Sequence, residues 1–433
     1  MFLNRGRTLR CLALVALGWG FAGCGGEDSA KSITTVKLAG PASLTGANLA
    51  ICATIINGAK AGMQWLNEQG GFAIGKGIGK IELVYEDDAS VADNVTAITT
   101  AYVEDPTVNF IMSPYSSGLT LAAAGITDPA GKLLLISGGA SNSIYSAGSA
   151  YLVASIGLGG EYHKGILDAV KKANGTLSGL TIGFLYEDES FSQSVQKAAV
   201  EYATQQPGLT KVYENKYPKS AKEDNATLLT RAAELAAVNP DIILGGGHAG
   251  DGRALTKLLH ANGARPKALS LLVAPGESDF YDLVKACPAP CDYASHPAEG
   301  VSGPSHWEVG VKFDKAAAKE AGLEWYGPSQ EEFLTIYQAV AGGDQVPSYH
   351  SANGATLILS LALAMQKAGS VETEAVRTAF HLLNYMSFWG VWGIDETGAN
   401  SGHKMVEAQW QQGEKQIVWP DEGKTAGLVY PIH

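Results

Sequence analysis

The chain has 433 residues, 46% of them hydrophobic, enough for two or three domains with a sizeable core. Its formal net charge of −12 lacks the basic footprint needed to bind nucleic acid, and it offers no polybasic membrane-binding face. Arg5, Arg7 and Arg10 precede an apolar run, Cys11 to Ala22, that is too short to span a bilayer. A basic stretch, a short apolar segment and small residues before a cleavage point read as a secretory signal over 1–23. That signal carries three arginines and no acid, so the remainder has a charge of about −15. Residues 24–32 read as a flexible tether, and no later run of about 20 apolar residues predicts a membrane span.

From Thr35 the pattern alternates. Thr35–Leu44 predicts a strand, Asn48–Gln69 a helix with Ile51, Ile55, Ala59, Met63 and Leu66 on one face, and Gly70-Gly71 its end. Lys80–Glu86, Val108–Met112 and Leu133–Ser137 read as strands, with helices over Val91–Tyr102 and Gly118–Thr127. A second set follows. Its helices are Tyr162–Ala173, Ser192–Thr204, Ala226–Val238 and Gly252–Asn262; its strands are Leu180–Tyr186, Lys211–Tyr217, Asp241–Leu244 and Ala268–Val273. Residues 302–388 are mostly helical: Val311–Ala321, Gln330–Ala341, His350–Lys367 and Glu372–Leu383. The tail, Lys404–Trp410 and Lys415–Trp419 around Gln412-Gly413, predicts a β-hairpin. Strands and helices at this spacing indicate parallel sheets covered on both faces, and no short-period repeat marks a solenoid.

Five cysteines are present. Cys11 leaves with the signal. Phe21-Ala22-Gly23-Cys24 resembles a bacterial lipobox, which implies that Cys24 becomes a lipid-bearing N-terminus outside the cytoplasm. Cys287 and Cys291 flank Pro-Ala-Pro and are positioned to close a small disulfide loop in an oxidising compartment. The rival reading is a metal pair, which lacks a second CxxC or an HxxxH partner. Cys52 reads as a lone packing thiol.

Several ordered motifs point to one family. A strand leads into Gly40-Pro41-Ala42-Ser43-Leu44-Thr45-Gly46, and the following helix carries Gly58-Ala59 and Asn67-Glu68-Gln69-Gly70-Gly71. Glu86-Asp87-Asp88, Pro114-Tyr115-Ser116-Ser117, Ser137-Gly138-Gly139-Ala140-Ser141 and Tyr186-Glu187-Asp188-Glu189-Ser190-Phe191 each follow a strand. With the tail Ala408-Gln409-Trp410 to Val418-Trp419-Pro420, this resembles the branched-chain amino-acid-binding (leucine-binding-like) family, the class I periplasmic solute-binding proteins of ABC transporters. The resemblance spans nearly all of 33–421. It implies an α/β fold of two Rossmann-like lobes with parallel sheets, joined by a three-stranded hinge. The crossovers are expected near Ser155–Gly157, Gly300–Gly303 and Gly390–Gly393. The lobes are then 33–156 with 302–390, and 157–301 with 391–433.

The same resemblance places a ligand between the lobes. Ser116 and Ser117 are expected to hold a carboxylate, as hydroxyls and backbone N–H groups do; an ordinary helix cap is the bland alternative. Gly139, Ala140 and Ser141 match a second clamp, Phe191 a covering ring, His248 a cleft position, and Glu277 a partner for an ammonium. Two departures bear on the ligand. Ile51 stands where an aromatic is usual, and Tyr115 and Ser90 replace a disulfide pair. With Ile51, Phe191 and His248 in place, the ligand class stays open among amino acid, amide, urea-like compound, aromatic acid and other small carboxylate. The expected partner is an ABC permease of the branched-chain amino-acid type, the alternative a signalling receptor whose sensing subunit this is. Membrane contact is through the lipid alone.

Enzymatic readings find no support. Gly245-x-Gly247-x-x-Gly250 matches a dinucleotide fingerprint, yet Arg265 to Val273 holds no acid for a ribose. GxxxxGK[ST], GxSxG and HExxH are absent from the sequence. No catalytic residue, cofactor or metal is expected.

Overall fold

The computed structural model describes residues 32–146, 148–284 and 293–433; the expected signal, Cys24, Cys287 and Cys291 lie outside them. β1 (Ile33–Ala42) buries Val36, Leu38 and Ala39 completely, because a mid-sheet strand is covered on both faces. It is followed by α1 (Leu49–Glu68), β2 (Phe72–Ile74), β3 (Gly77–Asp87), α2 (Ala92–Glu104), β4 (Phe110–Met112), α3 (Ser117–Thr127), β5 (Leu134–Ile136), α4 (Asn142–Tyr145) and β6 (Leu152–Ala154). These strands form a sheet ordered β2-β3-β1-β4-β5-β6, parallel except for the short hairpin strand β2.

The second lobe begins with α5 (Lys164–Asn174), β7 (Thr181–Glu187), α6 (Ser190–Thr204), β8 (Thr210–Tyr217), α7 (Ala226–Val238) and β9 (Ile242–Gly246). It continues through α8 (Ala249–Ala261), β10 (Ala268–Leu271), α9 (Phe280–Val284) and β11 (Ser302–Ser305). The chain then returns with α10 (Lys315–Glu320), β12 (Glu324–Trp325), α11 (Gln330–Ala341), α12 (Tyr349–Ala368), α13 (Thr373–Leu382), β13 (Tyr385–Ser387) and β14 (Gly390–Trp392). The tail is the hairpin β15 (Val406–Gln411) and β16 (Glu414–Trp419), turning at Gln412 and Gly413, both with positive φ. It extends the second sheet antiparallel to β11, giving the order β16-β15-β11-β10-β9-β7-β8.

The helix expected over Val311–Ala321 is confined to Lys315–Glu320. Asp314 caps it, accepting from the Ala317 N–H at 2.8 Å, so helical geometry starts only there. α12 is the core helix of the first lobe, buried at every position from Tyr349 to Met365. It crosses α1 where both lack side chains. A Cβ on Gly58 would collide with the Ser351 carbonyl, and one on Gly354 with the Ile55 carbonyl.

Three segments pass between the lobes side by side. Gly157 bridges to Asn400, whose Nδ2 donates to the Ser155 carbonyl at 2.9 Å. A Cβ on Gly157 would lie 2.9 Å from His306, just past β11, and 3.9 Å from His403. The second crossing therefore falls after Ser305, since β11 itself pairs with β10. The third falls in the run through Ile394 and Asn400, since β14 still pairs with β13.

Within the second sheet, Glu407 of β15 is buried. Its Oε1 accepts from Ser270 Oγ and Ser302 Oγ, both at 2.7 Å, while Oε2 has no partner. Burial pushes its carboxyl up to about 8, against the two hydroxyl bonds that pull it down. An acid whose folded value is raised contributes stability below its ordinary value of 4.5, lost as pH rises through about 8. Glu407→Gln should therefore flatten the fall in stability between pH 5 and 8. The expected difference from the parent is on the order of 4 kcal/mol across that window, read by urea unfolding at each pH. Parallel pH profiles for the two proteins would refute the assignment.

Candidate ligand-binding cleft

Five strands of the two sheets end at one crevice, the place where open α/β sheets collect ligands. After β4 and β5 come Tyr115–Ser117 and Gly138–Ser141; after β7, β9 and β10 come Glu189–Phe191, His248 and Val273–Glu277. The N-terminus of α12 adds Tyr349 and His350. The lobes are closed on one another. Ser116, Ser117, Ala140, Phe191 and His248 share the wall of one cavity of about 10 Å³, the size of a single water. Rings fill the rest. Tyr115 stands edge-on to both His248 (5.7 Å between centroids) and His350 (5.3 Å), and Tyr162 edge-on to Phe191 (5.2 Å).

The expected residues divide by what they touch. Ser116 N-caps α3 without a capping bond, and its buried Oγ has no partner. Ser117 Oγ accepts from the N–H groups of Ala140 (3.2 Å) and Ser141 (3.1 Å), tying the two first-lobe loops together. Gly139, Ser141 and Glu277 stand beside the cavity rather than in its wall. The Gly139 carbonyl accepts from Tyr145 Oη at 2.8 Å. Ser141 Oγ donates across the lobes to the Ser190 carbonyl at 3.0 Å. Glu277 Oε1 lies 3.0 Å from Nδ1 of His350, again across the cleft.

Local backbone explains these placements. Ala274 N donates to the Leu272 carbonyl at 2.6 Å around Val273, which has φ +55°. That γ-turn, strained for a β-branched residue, turns the chain toward Glu277. The Gly245–Gly250 run serves packing. A Cβ on Gly245 would collide with the Leu185 carbonyl and one on Gly247 with the Glu187 carboxylate, so the glycines accommodate β7 and its buried acid.

The model of the periplasmic binding protein family matches residues 35–415. The chain belongs to the periplasmic binding protein family. Leu/Ile/Val-binding protein homolog 7 of Brucella abortus is 23% identical over 98% of this chain and 99% of that protein. The structure is similar to the branched-chain amino acid transporter substrate-binding protein LivJ of Streptococcus pneumoniae in complex with isoleucine: TM-score 0.70, 18% identity, 89% of this chain and 100% of that one. It is also similar to an ABC transporter solute-binding protein of R. palustris in complex with benzoate, with TM-score 0.66, 15% identity and coverage of 92% and 98%. The type I fold and the family resemblance read from the motifs hold, and this is a binding protein, not an enzyme.

The electrostatics of this periplasmic binding protein centre on Glu187, which is fully buried. Its Oε2 is 2.5 Å from Nδ1 of His248, and its Oε1 accepts from Ser220 N at 2.7 Å. Burial alone lowers an imidazole's pKa. Here the charge of Glu187, then its hydrogen bond, then Asp251 and Glu189 more than offset that, raising His248 to about 9. Burial would raise Glu187, but the His248 charge and hydrogen bond hold it below the usual range. Asp251, buried and beside Glu187, is pushed up to about 7; it accepts from His248 N at 2.8 Å and from Tyr217 Oη. Glu187, Glu189 and His248 each bring a polar atom within 4.8 Å of the others, and the His248 imidazolium already supplies the cation that this acidic pair meets.

Sequence reasoning missed Tyr162, Tyr349, His350, Glu187 and Glu189 as members of this cleft. Glu187 and Glu189 were visible as acids just past a strand of the second lobe. Tyr349 and His350 open a long helix buried along most of its length, which hides the one end that faces the cleft.

A raised imidazole contributes stability that is present below its ordinary value of 6.5 and lost as pH rises through about 9. Glu187→Gln removes the main cause, so the His248 midpoint should fall to 6.5 or below in a ¹H–¹⁵N imidazole titration. A midpoint that stays near 9 in the variant would show that Glu187 does not hold the proton.

Proposed function

We propose that this binding protein captures a small amino acid, or a related amide or carboxylate, between its lobes and delivers it to an ABC permease of the branched-chain amino-acid type. The observation that carries this reading is the opposed polarity of the cleft. On the first lobe an unpartnered Ser116 hydroxyl stands at the uncapped start of α3, suited to a carboxylate. On the second lobe Glu189 and Glu277 add acidic groups suited to an ammonium, beyond Glu187, which is paired with His248. The relative named for Leu/Ile/Val binding and the neighbour holding isoleucine support an amino acid, and the neighbour holding benzoate supports a small carboxylate. Ligand in the cleft bridges the lobes and selects the closed state.

In this reading Cys24 carries the lipid that tethers the protein outside the cytoplasm, and Cys287 and Cys291 close a disulfide. The lobes are those expected from the sequence, with the second crossing moved past Ser305, so that β11 belongs to the second lobe, and the third moved into the run through Ile394 and Asn400. Ser116, Ser117, Gly139, Ala140, Ser141, Phe191, His248 and Glu277 form or support the ligand site.

Thermal-shift and calorimetric titrations with L-leucine, L-isoleucine and benzoate test the proposal. A ligand at 100 times its Kd adds about 2.7 kcal/mol, which raises Tm measurably. Ser116→Ala should weaken the binder at least tenfold with Tm of the free protein unchanged, because that hydroxyl has no partner to lose. Ser117→Ala should cost the free protein about 1 kcal/mol through the loop tie it removes. Benzoate binding without leucine binding would move the ligand class to aromatic acids. No response to any of the three, with the protein folded, would overturn the reading.

A further inference from the structure

The closed cleft has a second chamber. A cavity of about 670 Å³ opens at its mouth, within the range of small-molecule sites. Its walls come from both lobes: Ala47 and Asn48 between β1 and α1, Ser220–Asp224 between β8 and α7, and the first turns of α8. His248 lines both chambers and forms the partition between them. Asn48 ties the outer chamber to the inner one, its Nδ2 donating to the Tyr115 carbonyl at 3.1 Å.

The two chambers differ in charge. Around the inner one stand Glu187, Glu189 and Glu277. The outer one is lined by Lys222, Arg253 and Lys257 against Glu223 and Asp224, with the buried Asp251 turned to Tyr217 and the His248 amide. Lys257 is committed to Glu223 at 2.8 Å. Arg253 is only loosely paired, 3.9 Å from the exposed Asp279, so its guanidinium keeps donors for a guest. In this closed form the inner chamber has room for about one water, so an amino-acid head requires the lobes to part slightly, and its side chain then leads past His248 into the outer space.

We propose that the outer chamber is a specificity subsite for the far end of the ligand, and that it takes a carboxylate held by Arg253 with Lys222. The preferred ligand class is then an α-amino acid whose side chain ends in a carboxylate, not a compact branched-chain amino acid. This rests on the cleft accepting an amino-acid head, as proposed above. Because the outer walls belong to both lobes, a ligand that fills the chamber adds contacts that exist only in the closed state.

The test is calorimetric titration of the purified protein with L-norleucine, L-leucine and the series L-glutamate, L-2-aminoadipate and L-2-aminopimelate. At least one acidic member should bind ten or more times tighter than norleucine, and Arg253→Glu should erase or reverse that preference. Arg253→Lys should restore part of it, which a merely structural role for the side chain would not do. Matching melting profiles check that the variants fold, since Arg253 is only half-buried on the surface of α8. Norleucine or leucine binding at least as tightly as every acidic member would overturn the subsite while leaving the amino-acid reading intact. A preference for acidic ligands that survives Arg253→Glu would also overturn it. If no amino acid binds, the amino-acid reading and the subsite fall together.

Discussion

A carboxylate that is fully buried must find compensation on the spot, and the second lobe is arranged around that requirement at Glu187. The acid ends β7, where it meets the imidazole of His248 from the turn after β9 and the amide of Ser220 from the loop after β8. For the imidazole to reach it, the β9–α8 turn must pass close, which leaves no room for a side chain at Gly247. Asp251, out of water and beside Glu187, is pushed up to about 7 even though the His248 charge pulls it down, and the Tyr217 hydroxyl and the His248 amide cover it. One buried charge thus fixes the conformation of three strand ends, and those strand ends are the second-lobe face of the cleft.

Closure brings that face against a first lobe whose cleft side is aromatic and hydroxylic. Polar ties cross the gap beside ring contacts such as Tyr115 on His248: Glu277 to His350, Ser141 to the Ser190 carbonyl, and Asn142 N to Ser194 Oγ at 3.0 Å. Each polar tie is a bond that water can replace in an open form, so a neutral one contributes about 1 kcal/mol and the one to the Glu277 carboxylate about 2 kcal/mol. Contacts of that size keep the open and closed populations within reach of a ligand's differential binding, which is what a capture protein needs. The packing of the α1–α12 crossing and of the two sheets does not change when the lobes part.

Much of this architecture was legible in the residues. Apolar periodicity located nearly every long helix, and the glycine-flanked strand ends marked where loops gather. Ser116 and Ser117 were read together as carboxylate donors. The structure separates them, because one hydroxyl is free and the other is spent on holding the Gly138–Ser141 loop. That distinction depends on atoms about a loop's width apart and has no signature in spacing. His350 reaches the cleft only because the chain returns to the first lobe after β11, and a contact between residues 277 and 350 cannot be read from local pattern. β6 and the small β12–β14 sheet escaped notice for a simpler reason: two or three residues are too few to show a period.

The histidines divide along the same lines as the lobes' motions. His306 and His403, packed against Trp389 where the crossing segments meet, are held neutral: burial pulls His403 down to about 4 and His306 well below its usual range. No carboxylate is among the causes that shift either ring. His248, a residue of the same chemistry, is charged because Glu187 faces it. Two residues beyond His306 the buried Glu308 pairs with Lys415 at 2.6 Å, so an ion pair stands beside these neutral rings. The His248–Glu187 pair lies in the cleft, where closure changes its surroundings. In the cleft, pH acts on capture through His248 and its acids.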